Sequence, residues 1–411
     1  MKLTRRDFLK HSAKLIASLS FGSTILGSET GRAMLAGEDE FKLAAKSPIL
    51  VVIQLSGGND GLNTVIPYGH GEYYDARPTL RYKENEVIPL NNQLGLHPSL
   101  TELHQMFKDG KLAIVQGVGY PKPDLSHFRS MDIWQTGEPE KLAKTGWLGR
   151  YVSTSLSKQM LPAIQIGGVV SKAFLSPDFD VPVVQNLENF HAYGTKTSAY
   201  QQERMTHTLL DIYEKKPNHA LLQAVSQKGL LAFENVTAIQ NIANRYTSKV
   251  TYPETNFARD LQLTAKLIAG RTGTRVYYVQ LGGFDDHAQE KQQHVRTLKQ
   301  LDSGLGAFYQ DLKANDTHKD VVMMVFSEFG RRMKENSSGG TDHGTAAPVF
   351  IMGDPVKGGL YGEHPSLTKL IQGDLQYEVD FRSIYYTLLD DWLKGDAKST
   401  LGRSFEKLPF V

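Results

Sequence analysis

Carboxylates and imidazoles crowd three short stretches of this chain. They are Asp285 and His287 in Gly282-Gly283-Phe284-Asp285-Asp286-His287, Glu328 in Ser327-Glu328-Phe329-Gly330, and Asp342 and His343 just before Ala346. Oxygen and imidazole donors of this kind bind one or two divalent ions such as Zn, Mn, Mg or Ca. The sequence has no cysteine, so thiolate sites, disulfides and Cys nucleophiles are excluded. Asp60, in Ser56-Gly57-Gly58-Asn59-Asp60-Gly61, adds a fourth carboxylate position, although the same residues also make an ordinary solvated Gly-Asn-Asp turn. Ser126 opens a helix expected from His127 through Trp134, where the positive end of the dipole favours an alkoxide or a phosphoryl or sulfuryl group. A plain capping role for Ser126 is the alternative. His127 and Arg129 follow it closely enough to orient substrate or stabilise charge. His294 reads as a residue of a helix surface.

The elements that must position these residues are apolar runs ending where the polar stretches begin. Ile49 to Leu55, Lys111 to Gly117, Arg275 to Leu281, Val321 to Phe326 and Ala347 to Gly353 read as strands, most of them buried on both faces of an α/β sheet. In such a sheet the carboxyl ends of parallel strands share one edge, so loops distant in sequence converge there. Val321 to Gly353 is thus two strands joined by a loop that carries Ser327, Glu328, Asp342 and His343. Residues 174–253 carry helical patterns at Ala199 to Glu214 and His219 to Ala243, and read as a helical insertion or cap. Further helices are expected at Asn256 to Gly270 and Asp380 to Leu393, whereas Tyr68 to Leu96 reads as irregular surface.

A chain of 411 residues, 40% apolar, suffices for one large α/β domain with a cap. Its net charge of +2, without blocks of basic residues, gives no support for nucleic-acid binding. Thr4-Arg5-Arg6-Asp7-Phe8-Leu9-Lys10 is a near-complete twin-arginine export motif, followed by a weakly apolar region from Leu15 to Leu26 that is too short for a stable membrane span. The expected organisation is a twin-arginine signal over residues 1–36, a linker over 37–47 and an α/β domain over 48–411, periplasmic or secreted, with the Tat machinery as export partner.

Together, the twin-arginine start, SGGNDGLNTVIPY, GLHPSL, SHFRSMDIW, GGFDDHAQ, SEFGR and GGTDHG resemble the bacterial family called domain of unknown function fifteen-oh-one. That family is placed with the alkaline phosphatase and sulfatase-like superfamily. The resemblance implies an alkaline phosphatase-like, mixed, mostly parallel sheet flanked by helices. It also implies that Asp60 corresponds to the superfamily's first metal-binding Asp, Ser126 to its nucleophile, Asp285 to a later metal-binding Asp and His343 to its last metal-binding His. Glu328 and Phe329 stand where the superfamily has Asp-His, and His287 departs from the usual spacing, so a single-metal or altered site is implied. The expectation is an exported metal-dependent hydrolase of phosphate or sulfate esters, acting on a small-molecule or saccharide ester. Metal ligands are drawn from Asp60, Asp285, His287, Glu328, Asp342 and His343, with Ser126 as nucleophile. The rival is a degenerate member that binds an envelope polysaccharide or a protein.

Overall fold

The computed structural model describes residues 47–157, 161–179, 181–184, 198–215, 218–271 and 273–411. The signal expected over residues 1–36, and all but the last residue of the linker expected over 37–47, lie outside the described residues. In chain order the strands are β1 (Ile49–Ser56), β2 (Val65–Ile66), β3 (Ile88–Pro89), β4 (Gly95–Leu96), β5 (Leu112–Gly119), β6 (Ala163–Ile166) and β7 (Val183–Val184). They continue as β8 (Val276–Gly282), β9 (Val321–Ser327), β10 (Arg331–Glu335), β11 (Thr341–His343), β12 (Ala347–Met352), β13 (Gly359–Tyr361) and β14 (Val379–Asp380).

Nine of them form one sheet in the order β13-β5-β12-β9-β1-β8-β6-β7, with β14 also on β5. β9, β1, β8, β6 and β7 run parallel, and β12 is antiparallel to both β9 and β5, so the sheet is mixed and mostly parallel as expected. Alternation along β1 explains the layers. Val51, Ile53 and Leu55 pack with the helices Thr101–Lys108, Asn256–Ala269 and Glu290–Ala314, whereas Leu50 and Val52 pack with His127–Thr136, Trp147–Ser155 and Phe381–Thr387. Both faces are covered, and for that reason the central strands read as continuous apolar runs rather than alternating ones.

The helices Ala199–Glu214 and Ala220–Ala243 stand where the sequence patterns put them. The edge strand β7 falls inside 174–253, so the main sheet reaches into the stretch read as an insertion. Tyr68 to Leu96 differs from the irregular surface expected of it. Its strands β3 and β4 form a small sheet with β2, and Tyr73, Leu80 and Tyr82 are buried, because its prolines and short apolar steps hide strands only two residues long. Between β9 and β12, where the sequence suggests a loop, β10 and β11 pair as an antiparallel hairpin, Arg331 opposite His343.

β1 leaves the sheet through Gly57 and Gly58, at φ of 122° and 74°. A Cβ at Gly57 would collide with the backbone nitrogen of Asp285, and one at Gly58 with the ring of Phe329. Glycine here allows the three strand-end loops to close on one another. Gly57→Ala should therefore cost about 2 kcal/mol or more of stability in urea unfolding. A variant as stable as the wild type would show that the loops do not need this close approach.

Candidate functional site

The register of the three central strands sets the site. Ser56 of β1 pairs with Gly282 of β8, and Leu55 with Ser327 of β9, so the loops after them begin at one level. Arg331, at the start of β10, ties them together. Its guanidinium donates to the carbonyls of Gly57, Gly58 (2.7 Å), Phe284 (3.0 Å) and Thr341 (2.8 Å), and to Asp285 Oδ1 at 2.7 Å. The Arg331 side chain is 1% exposed and that of Asp285 51%, so the cation is buried and its carboxylate partner faces the surface.

Three imidazoles gather on the same carboxylate oxygen. His287 Nε2 lies 3.0 Å from Asp285 Oδ1, and His127 Nε2 and His343 Nε2 each 3.4 Å from it. His287 Nε2 and His343 Nε2 are 2.9 Å apart. The opposite nitrogen of each ring meets an oxygen: His127 Nδ1 donates to Glu328 Oε1 at 2.9 Å, His343 Nδ1 donates to the Leu125 carbonyl at 2.7 Å, and His287 Nδ1 lies 3.5 Å from Asp342 Oδ1. For His127 and His343 these bonds fix the Nδ1–H tautomer in the neutral ring, leaving the Nε2 lone pair turned toward Asp285. Glu328 is itself held, accepting from Gly57 N at 2.9 Å and from Ser327 Oγ at 2.9 Å. Its hydrogen bond raises the His127 pKa, while burial lowers that of His343. Burial alone would raise Asp285, but the Arg331 hydrogen bond and charge outweigh it and bring the carboxyl down to about 2. Phe329 fills the space between the rings, its centroid 4.9 Å from His127 and 4.8 Å from His343.

The structure brings together Asp285, His287, Glu328, Asp342 and His343, as the sequence suggests, and adds His127 to the cluster. Glu328 reaches the Nδ1 side of His127, and Asp342 stands beside His287 rather than His343. Ser126 is exposed at the N-cap of the helix His127–Thr136, and its side chain makes no capping bond. It sits between Leu125 and His127, both tied to the cluster. Arg129 turns instead to Asp132 and to the Pro139 carbonyl.

Asp60 is part of a second, buried group. Its Oδ2 pairs with Arg77, and it lies with Glu290 and His294, which the helix Glu290–Ala314 carries. His294 is 2% exposed, contrary to its expected place on a helix surface, because Asn59 and the Phe284 ring close over it. Burial first, then the charge of Asp60, pushes the Glu290 carboxyl well up, and burial takes the His294 imidazole down to about 4. Arg77 and Glu290 carry no motif in the sequence, and Arg331 closes the SEFGR stretch without any sign there of its burial. A Glu and a His four apart on a helix, so on one face, were the available signal.

The donor set of the exposed cluster fits a divalent ion. One ligand atom from each of His127, Asp285 and His343 lies within 4.8 Å of the others. Ligands at about 2.0–2.2 Å from Zn sit roughly 3.4 Å from one another in a tetrahedron, close to the spacing of these Nε2 atoms from Asp285 Oδ1. Oxygen partners behind the imidazoles are the usual support of metal-binding histidines. Beside the cluster a cleft of about 440 Å³ is lined by Tyr120, Lys122, Glu328, Phe329, Arg332 and Tyr377, among others.

The family described as Protein of unknown function (DUF1501) matches residues 47–392. The chain belongs to this family. Among curated proteins, no sequence relative matches. Solved structures similar to this DUF1501 chain include a protein in the alkaline phosphatase superfamily from Vibrio parahaemolyticus, at 11% identity and TM-score 0.39 over 98% of this chain and 78% of that one. Alkaline phosphatase from the Antarctic bacterium TAB5 is 11% identical, with TM-score 0.33 over 77% of this chain and 95% of that one. The C-terminal periplasmic domain of EcEptC from Escherichia coli, in complex with Zn, is 11% identical, with TM-score 0.35 over 77% and 76%. Among the described residues of the DUF1501 chain, no helix is long and apolar enough to cross a membrane.

Arg331→Met would remove the guanidinium from the Gly57, Gly58 and Thr341 carbonyls and from the Asp285 carboxylate, leaving the Phe284 carbonyl only its bond from Asp286 N, and should cost about 3 kcal/mol or more at neutral pH. Since the folded Asp285 pKa lies below its unfolded value of about 3.9, the contribution of the pair is complete above that pH and is lost as pH falls toward the folded value. In Arg331→Met the Asp285 carboxyl should titrate higher, and this share of the acid loss should vanish. Carboxyl-carbon NMR of the metal-free protein with acid unfolding reads both, and an unchanged Asp285 titration would refute the pairing.

Proposed function

We propose that this DUF1501 chain is a metal-dependent hydrolase of phosphate or sulfate esters, exported by the twin-arginine route and acting on a small-molecule or saccharide ester. The observation that carries this reading is the set of three imidazoles whose Nε2 atoms turn to one Asp285 oxygen while their other nitrogens are held by Glu328, Leu125 and Asp342. His127, Asp285 and His343 would hold a divalent ion, with His287 as a further donor, and Glu328 and Asp342 would orient His127 and His287. Such an ion supplies Lewis-acid polarisation of the ester and charge neutralisation at the transferred group. Ser126, with its hydroxyl free of capping and at the positive end of a ten-residue helix, is the nucleophile of the proposal. Its oxygen bonds to phosphorus or sulfur as the bond to the ester oxygen breaks, the serine proton leaving with the alcohol, and water then cleaves the seryl ester to release the acid and restore the hydroxyl. The cleft takes the leaving group, and Lys122 and Arg332 on its wall favour an anionic substrate.

A second reading, a degenerate member that binds an envelope polysaccharide or a protein, is favoured by the Arg331 pair. Asp285 already has a cation at 2.7 Å, which lessens its pull on a metal.

A panel of aryl phosphates and sulfates with Zn, Mn, Mg or Ca tests the hydrolase. Wild-type protein should turn over at least one ester with added metal. Asp285→Ala, His343→Ala and Ser126→Ala should lose about 100-fold or more, folded as before. Glu328→Gln should lower metal affinity or turnover by about 10- to 100-fold. No bound metal and no turnover under any of these ions would rule the hydrolase out. Retained polysaccharide binding in the Asp285→Ala variant would then favour the binder.

A further inference from the structure

We propose that Asp60, Glu290 and His294 form a second cation site, enclosed in the protein interior, that takes a divalent transition ion such as Zn or Mn and fastens the β1 loop to the helix Glu290–Ala314. It shares no ligand with the exposed cluster and does not depend on the hydrolase reading.

Asp60, Glu290 and His294 are 2%, 0% and 2% exposed, so solvent satisfies none of them. One ligand atom of each lies within 4.8 Å of the others. Asp60 Oδ2 is taken by Arg77, Glu290 Oε2 accepts from Thr341 Oγ1 at 2.6 Å, and His294 Nε2 sits 3.0 Å from Asn59 Oδ1. Each residue keeps one buried atom with no partner: Asp60 Oδ1, Glu290 Oε1 and His294 Nδ1. The Asn59 oxygen accepts from His294 Nε2–H, so the neutral ring presents a lone pair at Nδ1. With Glu290 ionised, all three unpartnered atoms are acceptors, and buried acceptors without a donor are costly.

Charge leads to the same answer. Two carboxylates against the single guanidinium of Arg77 leave an excess negative charge in a region closed to water, and such charge must be neutralised. A proton shared between Asp60 and Glu290 would neutralise it but join only two of the three acceptors, leaving His294 Nδ1 unpaired. A cation among them satisfies all three. An imidazole nitrogen with two carboxylate oxygens suits Zn or Mn, whereas Ca and Mg take sets made only of oxygen. Glu290 and His294, four residues apart on one helix face, are a spacing that can place two ligands on one ion.

The test counts ions and reads stability, with no activity involved. Full-length protein is stripped by chelator, reloaded with Zn or Mn, freed of excess and analysed for metal, in the wild type, in His343→Ala to disable the exposed cluster, and in each with Glu290→Gln added. One equivalent should remain in His343→Ala and disappear when Glu290→Gln is added, and reloading should raise the melting temperature only where Glu290 is present. Glutamine mimics a protonated Glu290. If Glu290→Gln is as stable as the wild type and holds the same metal, the pair shares a proton and the proposal falls. It falls equally if wild type and His343→Ala hold no ion that Glu290→Gln removes. Should Glu290→Gln fail to fold, His294→Gln gives the same count.

Discussion

A guanidinium is buried where three strands end, and the candidate site is arranged around that fact. Arg331 can stay inside only if each of its donors finds an acceptor, and it finds them on the loops after β1 and β8 and on its own hairpin. Satisfying Arg331 therefore fixes the distances between loops that have no covalent link. The same ion holds Asp285 in its charged form at the surface, which makes that carboxylate a firm centre for the imidazoles. It also competes with any other cation for that charge.

One strand end feeds two chemically different groups. After β8, Asp285 and His287 reach the surface and gather the imidazoles of His127 and His343, while the buried Glu328 after β9 holds His127 from behind. Asp60, three residues beyond Gly57, turns inward to Arg77, Glu290 and His294. Thr341 joins the two levels, its carbonyl accepting from Arg331 and its hydroxyl donating to Glu290. The outer group has rotatable, solvent-facing side chains suited to exchange of ligands. The inner group is closed, and suits a permanent occupant.

Much of this was legible in the sequence because burial on both faces writes itself as continuous apolar runs. Those runs located β1, β8, β9 and β12, and with them the strand-end loops that carry Asp285, His287, Glu328 and His343. The parts that stayed hidden are those created by tertiary pairing. Arg331 looks like one of two ordinary basic residues after a turn, and nothing local says that it will be buried. His294 sits in a polar helical pattern, and only the packing of Asn59 and Phe284 over it makes it interior. The pairing of β10 with β11 was masked by Asn, Ser and Gly residues that read as loop. Asp60 reads as a candidate ligand, but the company it keeps is not written in its neighbours in the chain.

The outer cluster draws on segments far apart in the chain. The His127–Glu328 bond spans 201 residues and the His343–Leu125 bond spans 218. Each closes a long loop, and such contacts are paid for in chain entropy before they return any energy. The pairing of β1 with β8 closes a loop just as long, Leu50 lying opposite Val276. The imidazole array therefore exists only where the chain has closed on itself at several distant points at once, so its geometry is a property of the finished fold and not of any one loop.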